Sequence, residues 1–335
     1  MSSVTSASLP YRQTSLRIRR TVPHSDGMRE TYDVVVVGGG PAGLNGALML
    51  ARSRRSVLVV DAGEPRNAPA EAVHGLFAHD GTPPAELLAK GRAEVERYGG
   101  HLTTGSVVGV TPGFTVTLAD GRQVGARRLL VTTGLTDVLP EIEGLRERWG
   151  RDAVHCPYCH GWEIRDRAIG ILATSPMGLH QAMMFRQLSD DVTLFTAEPP
   201  SAEQAAELSA RGIRVVPGEV EALEIADDRI TGVRLKDGTV VPLDAVVVGT
   251  RLKARVGFLE PLGLKAVPHP GGFGEHIPAA PDGQTDVPGV WVAGNVTDLM
   301  AQVGASASAG ALAGARINGD LIAEETRQAV LAATS

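Results

Sequence analysis

The stretch YDVVVVGGGPAGLNGALMLARSRRSVLVVD, residues 32–61, constrains the fold more than any other part of the chain. Val34 to Val37 form a continuous β-branched run, the signature of a strand buried on both faces. A glycine-rich turn follows, Ala42 to Ala51 reads as a helix, and Val57 to Val60 as a second, parallel strand ending at Asp61. Together they make a βαβ unit. Gly38-x-Gly40-x-x-Gly43 lies at the strand-to-helix turn, with Pro41 and Ala42 inside it. Gly38 permits the tight turn, Gly40 lets the backbone approach a pyrophosphate, and Gly43 lets helix and strand pack closely. The helix N-terminus offers free N–H groups and partial positive charge to phosphates. Asp61, eighteen residues past Gly43, has the reach to accept hydrogen bonds from a ribose diol. Strand, helix and carboxylate are all in place, so a nucleotide site is expected here rather than a ligand-free glycine turn. Whether the nucleotide is FAD or NAD is not decided by these residues.

The rest of the chain repeats the theme. Pro83 and Pro84 precede an amphipathic helix over Glu86 to Tyr98. FTVTLADGRQV reads as a hairpin turning at Asp120-Gly121, and RRLLVTTG as a buried strand ending at Gly134. A second strand–turn–helix–strand series begins at DRAIGILATSPMGLHQ. It is followed by the hairpin ITGVRLKDGTVV, turning at Asp237-Gly238, and by the strand LDAVVVGT. The C-terminal VPGVWVAGNVTDLMAQVGASASAGALAGARINGDL reads as strand, loop and long Ala-rich helix, and is expected to return to the first unit. The fold class is therefore α/β, with two nested Rossmann-like three-layer nucleotide-binding domains. The boundaries expected are a disordered tail over 1–30, a discontinuous first domain over 31–137 plus 251–330, and an inserted domain over 138–250. Met28 is a candidate true start.

The chain has 335 residues and a formal net charge of −6. That balance argues against a general nucleic-acid role, which usually needs a strongly basic surface. No run of eighteen apolar residues exists, so no membrane span is expected. The Ser-, Thr- and Arg-rich start carries Arg19-Arg20 without a following apolar region, so no export signal is read there.

Both cysteines, Cys156 and Cys159, fall in HCPYCHGWE. Two cysteines at this spacing suit a reducing cytoplasm, where such pairs serve catalysis or metal binding. A zinc site would ordinarily draw a second ligand pair from a distant segment. Cys-Pro-Tyr-Cys is also a glutaredoxin motif, but it falls near the start of a small domain there and at position 156 here. A redox disulfide is the reading that remains. Cysteines three apart on a helical first turn share one face, and the helix N-terminus favours thiolate. His160 beside Cys159 is a candidate acid/base, because imidazole titrates near neutrality; a residue that merely packs is the alternative.

VVVGGGPAGL, the TTG strand end and VPGVWVAGNVTD resemble the FAD domain of the pyridine-nucleotide disulfide reductases. The chain length and mid-chain CxxC make it similar to the thioredoxin-reductase branch, over about Tyr32 to Ile322. The resemblance implies FAD as cofactor and an FAD/NAD(P)-linked disulfide reductase fold. It places Gly134, Gly294, Asn295, Gln302 and Val303 around the flavin, the last two at the start of the final helix. Arg66, Asn67 and His74 fall in a loop near flavin and substrate. Asn295 stands where the family usually has Asp. The second glycine loop departs further: Ala173-Thr174-Ser175-Pro176-Met177-Gly178 lacks two phosphate-approach glycines, Pro176 removes a donor, and Glu198 stands where arginines would grip a 2′-phosphate. The inserted domain is thus read as a degenerate NAD(P)-type unit.

CxxCHGxE, DAGEPRNAPAEAVHGLFAHDGTPPAELL and AGNVTDLMAQV resemble FAD-dependent dithiol oxidases that close disulfides in gliotoxin-, holomycin- and depsipeptide-type natural products. By that resemblance Cys156 exchanges with a small-molecule dithiol, Cys159 faces the flavin, His160 moves the thiol proton, and O2 is the final acceptor. Tyr158, Trp162 and Phe77 are expected to touch substrate. A homodimer is expected from the family, beside the cytoplasmic location and the lack of nucleic-acid and membrane partners read above from cysteine usage, charge and hydropathy. An NADPH- or carrier-fed disulfide reductase is the alternative.

Overall fold

The structure is a computed structural model and describes residues 28–175 and 177–334. The expectation of a disordered tail falls mostly outside the described residues, as does the argument about Pro176. Met28 itself is buried in the first core, and the Glu30 carbonyl accepts the Gly125 N–H.

The chain starts with β1 (Thr31–Val37), α1 (Pro41–Arg52) and β2 (Val57–Asp61), then α2 (Pro84–Arg97), β3 (His101–Thr104), β4 (Val107–Thr111), β5 (Thr115–Leu118), β6 (Gln123–Val131) and β7 (Leu135–Val138). Both helices begin at prolines, Pro41 and Pro84, slightly earlier than expected. Proline has the right φ for a first helical position and its missing N–H would have no partner there. The valines of β1 are all buried, Val34 and Val36 against one core and Val35 and Val37 against the other. That two-sided burial is why the run reads as unbroken β-branched sequence.

β6 corrects the sequence reading. The hairpin arm and the buried strand after it are one strand of nine residues, ending at Val131 rather than Gly134. Its start pairs antiparallel with β5 and its end parallel with β1. Gly134 instead adopts φ +66° beyond the strand.

The middle of the chain forms α3 (Leu145–Arg148), β8 (Ala153–Val154), α4 (Pro157–His160), β9 (Ile169–Leu172), α5 (Met177–Phe185), β10 (Val192–Thr196), α6 (Ala202–Ala210) and β11 (Arg214–Pro217). β12 (Val220–Ala226), β13 (Arg229–Leu235), β14 (Val240–Pro242) and β15 (Ala245–Val248) follow. Here the meander and the buried strand stay apart: β14 ends at Pro242, and Leu243-Asp244 separates it from β15. Asp244 then turns back to accept the Ala168 N–H. β16 (Arg251–Ala254), β17 (Val267–Pro268), β18 (Gly274–His276), β19 (Val290–Val292) and α7 (Val303–Thr334) complete the chain.

The first sheet runs β3-β2-β1-β6-β5-β4, with β19 added on β6. The second, all parallel, runs β11-β10-β9-β15-β8. β19 joins β6, and α7 packs on α1. A Cβ at Gly314 would lie 2.7 Å from the Gly46 carbonyl oxygen, so the small residues of both helices are what lets them approach. β7 and β16, flanking the middle segment in sequence, pair antiparallel with each other. Among the described residues no helix is long and apolar enough to cross a membrane.

Candidate active site

One cavity of about 1750 Å³ runs from the glycine loop after β1, past the loop after β2, to the cysteine pair and the N-terminal ends of α5 and α7. The three glycines at its first end differ in what they require. Gly38 has φ +108°, and Thr132 pins its carbonyl by donating its hydroxyl at 2.9 Å. A Cβ at Gly43 would collide with that same carbonyl. Gly40 has nothing within 4 Å of the position its Cβ would take. No protein atom demands glycine there, and the open space is what a pyrophosphate cradle at a helix N-terminus needs. No acidic side chain stands in the first turn of α1 to oppose an anion.

Asp61 ends β2 at the cavity wall. Its Oδ1 accepts the Gly39 N–H at 3.1 Å and its Oδ2 accepts from Arg92 at 3.2 Å. Arg92, on the amphipathic α2, carries no sequence signal of this role beyond being a basic residue on a helix whose Leu88 and Val95 face the core. The residues present thus fit a dinucleotide.

At the other wall, Gly294 (φ +75°) lies against Ala42. Asn295 has a role that the sequence did not reveal. Its side-chain N–H groups are directed to the carbonyl oxygens of Asp298, Ala301 and Leu299 at 3.0, 2.9 and 3.3 Å. It shapes the turn that leads into α7. Gln302 accepts the Ser306 N–H at 2.8 Å, and Val303 is the first residue of the helix. Gln302, Val303, Asn67 and Gly134 all line the cavity.

Cys156 and Cys159 are joined as a disulfide, with Cα atoms 5.3 Å apart. Cys156 is the N-cap of α4 and Pro157 its first residue; the Cys156 carbonyl accepts the His160 N–H at 3.2 Å. One turn of helix therefore sets both sulfurs and the imidazole. Both His160 ring nitrogens are buried and without a hydrogen-bond partner. Burial lowers the proton affinity of His160 below the usual histidine range; Glu163 pulls it up and His74 pushes it down. A neutral imidazole with free lone-pair capacity beside a disulfide is a ready proton acceptor.

His155 serves differently. It stacks on Trp149 at 5.4 Å and lies 3.3 Å from Arg66 Nη2. Burial, then the Arg66 charge, push its pKa down to about 4. Arg66 is turned to Asp137 on β7 and to His155. His74 lines the cavity 3.4 Å from Glu163. Of the three aromatics expected to meet substrate, Tyr158 borders the cavity. Trp162 and Phe77 do not line it: Trp162 carries Arg165 over its ring at 4.1 Å and Phe77 is 95% exposed. Trp149, Met177, Met184 and Phe273 supply apolar lining instead. Isolated residues on a helix or in a loop gave no periodic sign of that role.

The second strand-to-helix turn, between β9 and α5, carries Thr174 and Ser175 where the first has glycines, and Ser175 lines the cavity. Thr174 donates its hydroxyl to the Gly249 carbonyl at 2.9 Å, and a Cβ on Gly249 would meet Ser175 Oγ at 3.2 Å and Thr174 Oγ1 at 3.4 Å. Gly178 survives as a packing glycine, its missing Cβ 2.7 Å from that of Ala173.

The family model for pyridine nucleotide-disulphide oxidoreductases matches residues 32–310. Thioredoxin reductase tcpT of Claviceps purpurea is 34% identical over 310 residues, covering 87% of this chain and 95% of that protein. The crystal structure of HlmI superposes with a TM-score of 0.85 at 42% identity, over 94% of this chain and 98% of that one. An oxidoreductase from Agrobacterium tumefaciens gives 0.82 at 38%, over 87% and 99%. A glycine cradle closed by Asp61, a disulfide on a helical turn and a match over most of the chain agree: the chain belongs to the pyridine nucleotide-disulphide oxidoreductases, in a thioredoxin-reductase-like form.

Proposed function

We propose that the protein is an FAD-dependent oxidase that closes a small-molecule dithiol into an intramolecular disulfide, with O2 as acceptor and H2O2 as product, in the metabolism of a sulfur-containing natural product. The observation that carries this reading is the pairing of the Cys156–Cys159 disulfide with a buried His160 whose ring nitrogens have no partner. The sequence of the second loop supports it, since Thr174 and Ser175 stand where phosphate-approach glycines of a nicotinamide dinucleotide site would be expected.

Gly38, Gly40, Gly43 and the α1 N-terminus would hold the FAD pyrophosphate, Asp61 the ribose, and the turn from Gly294 to Val303 the flavin side. The chemistry a bound flavin supplies is two-electron acceptance from the reduced cysteine pair, with oxygen beyond it. The chain's own residues do the rest. His160 takes the proton from a substrate thiol, whose sulfur attacks Cys156 while Cys159 leaves. The second substrate thiol displaces Cys156 and frees the cyclic disulfide. Trp149, Met184 and Phe273 give the cavity an apolar wall that suits a small organic dithiol.

Oxygen uptake with a panel of small dithiols tests the proposal, with Cys156→Ser and Cys159→Ser expected to fall to baseline. The name of the tcpT relative favours a second reading, a thioredoxin-reductase-like disulfide reductase. Rapid loss of flavin colour with NADPH in the absence of air, and no uptake with any dithiol, would establish that reading instead.

A further inference from the structure

His155 directly precedes Cys156 and lines the same cavity, yet the thiol exchange described above needs only His160 and the two sulfurs. Three neighbours hold it in place. Its ring stacks on Trp149 at 5.4 Å, its Nε2 lies 3.3 Å from Arg66 Nη2, and its backbone carbonyl accepts the side-chain N–H of Gln181, from α5, at 3.2 Å. Arg66 is itself fixed by Asp137, which accepts from Nε at 2.6 Å and from Nη2 at 2.8 Å.

A guanidinium can only donate. Facing Arg66, the Nε2 of a neutral imidazole is therefore the acceptor, and the ring proton sits on Nδ1. The ring is neutral, because burial and then the Arg66 charge push its pKa down to about 4. Among the described residues Nδ1 has no hydrogen-bond partner, and unlike both His160 nitrogens it is not sealed from the cavity. We propose that His155 is a specificity-determining residue: its Nδ1–H, locked in one tautomer by Arg66, donates to an uncharged carbonyl oxygen that the substrate carries near its thiols. The inference rests on the dithiol reading, which brings the substrate to Cys156.

Two arguments select that ligand chemistry. The first is solvation. The donor opens onto a cavity to which Trp149, Met184 and Phe273 contribute apolar surface. A ligand that displaces water from Nδ1–H without bringing an acceptor forfeits a hydrogen bond, and one that brings a carbonyl restores it. The second is charge. The Arg66 cation is already matched by the Asp137 carboxylate, and the imidazole is neutral. No positive charge is left over to offset the desolvation of a carboxylate, so the acceptor that fits is a neutral one.

Two measurements on the flavin-loaded full chain test this. The first needs no substrate. Nitrogen NMR of protein labelled in its histidine rings is expected to show the His155 proton on Nδ1, with His155→Phe identifying the signal. A proton on Nε2 overturns the proposal. The second is the binding of two small cyclic disulfides, identical except that one has a ring carbonyl where the other has a methylene, read by tryptophan fluorescence without air. The wild type is expected to hold the carbonyl compound about tenfold more tightly. His155→Phe is expected to hold both alike. His155→Asn, whose side-chain N–H falls at the place of Nδ1, is expected to recover part of the preference. A ring that only packs would leave the preference untouched. A wild type that does not distinguish the two compounds, or a His155→Phe variant that still prefers the carbonyl tenfold, therefore overturns the proposal. A wild type that shows the preference but takes up no oxygen with the corresponding dithiols would sink the oxidase reading alone and leave the role of His155 standing.

Discussion

Arg66 closes on Asp137 through two hydrogen bonds, Nε to Oδ2 at 2.6 Å and Nη2 to Oδ1 at 2.8 Å. Thr250 adds its hydroxyl to Oδ1 at 2.7 Å. Asp137 lies on β7 and Thr250 just before β16, the two strands that flank the middle segment carrying the cysteines. One carboxylate therefore ties the loop after β2 to both of those strands, directly beside His155 and the disulfide. Burial alone would raise the Asp137 pKa; the Arg66 guanidinium and the Thr250 hydroxyl outweigh it and hold the carboxyl below its usual range.

The first prediction comes from that pair. Arg66→Leu strands a buried carboxylate and is expected to cost roughly 2–4 kcal/mol near neutral pH, whereas Arg66→Lys keeps the charge, loses the two-pronged geometry and costs less. A carboxyl with a depressed folded pKa stabilises the fold above its unfolded value of 3.8 and loses that contribution as pH falls through the lower folded value. The gap between wild type and Arg66→Leu should therefore narrow in acid. Denaturant unfolding near neutrality and again below the carboxylate range checks both parts.

The glycine loop offers a sharper contrast. Gly43→Ala drives a methyl group into the Gly38 carbonyl and should destabilise the protein with or without cofactor. Gly40→Ala meets no protein atom within 4 Å, so the cofactor-free melting temperature should barely move. Its loss should be in FAD affinity, tenfold or more, because the methyl occupies the approach path of the pyrophosphate. Melting curves of the cofactor-free chain beside an FAD titration separate the two; equal affinity in Gly40→Ala and wild type would remove that loop from the cofactor site.

Asn295→Asp is the third test. It restores the residue that thioredoxin reductases usually carry, yet here it would aim a carboxylate at three carbonyl oxygens. The lost donors and the repulsion should cost about 1–3 kcal/mol and loosen the turn before α7. Retained flavin after purification and hydrogen exchange of the amides over 298–303 are the measurements. A variant as stable and as flavin-rich as the wild type would show that the turn holds itself.

These cases show what the sequence carried. Val34 to Val37, the three glycines and Asp61 were legible because each is dictated by neighbours close in the chain: a two-sided strand, a turn, a strand end. The same holds for Cys156, Cys159 and His160, which one helical turn sets together. The unity of β6 was hidden because a single strand changes partners along its length, from β5 to β1. Arg92 reaching Asp61, Asn295 facing three carbonyls and Arg66 on Asp137 were hidden for a related reason. In each, the partner is chosen by tertiary position, and nothing in residue type or spacing announces it. Trp162 and Phe77 misled because a large apolar side chain near a motif suggests a pocket wall, while these two extend to solvent.

His155 yields the last prediction. Its ring is packed on Trp149 and faces the Arg66 guanidinium, and its pKa is pushed down to about 4 from 6.5, mainly by burial. In the folded protein it is neutral over a range in which an unfolded chain would protonate it. Its contribution is complete above about pH 6.5 and is lost as pH falls from there toward 4, because the unfolded state takes up a proton that the fold refuses. The loss over that window should approach about 3 kcal/mol, at 1.36 kcal/mol per pKa unit. His155→Phe keeps an aromatic ring against Trp149 and removes the titration, so its stability should stay flatter between roughly pH 6.5 and 4 than that of the wild type. Urea unfolding at a series of pH values measures both slopes. Parallel slopes would mean that His155 reaches water and takes up its proton in the folded state, and the packed, neutral ring beside Cys156 would have to be abandoned.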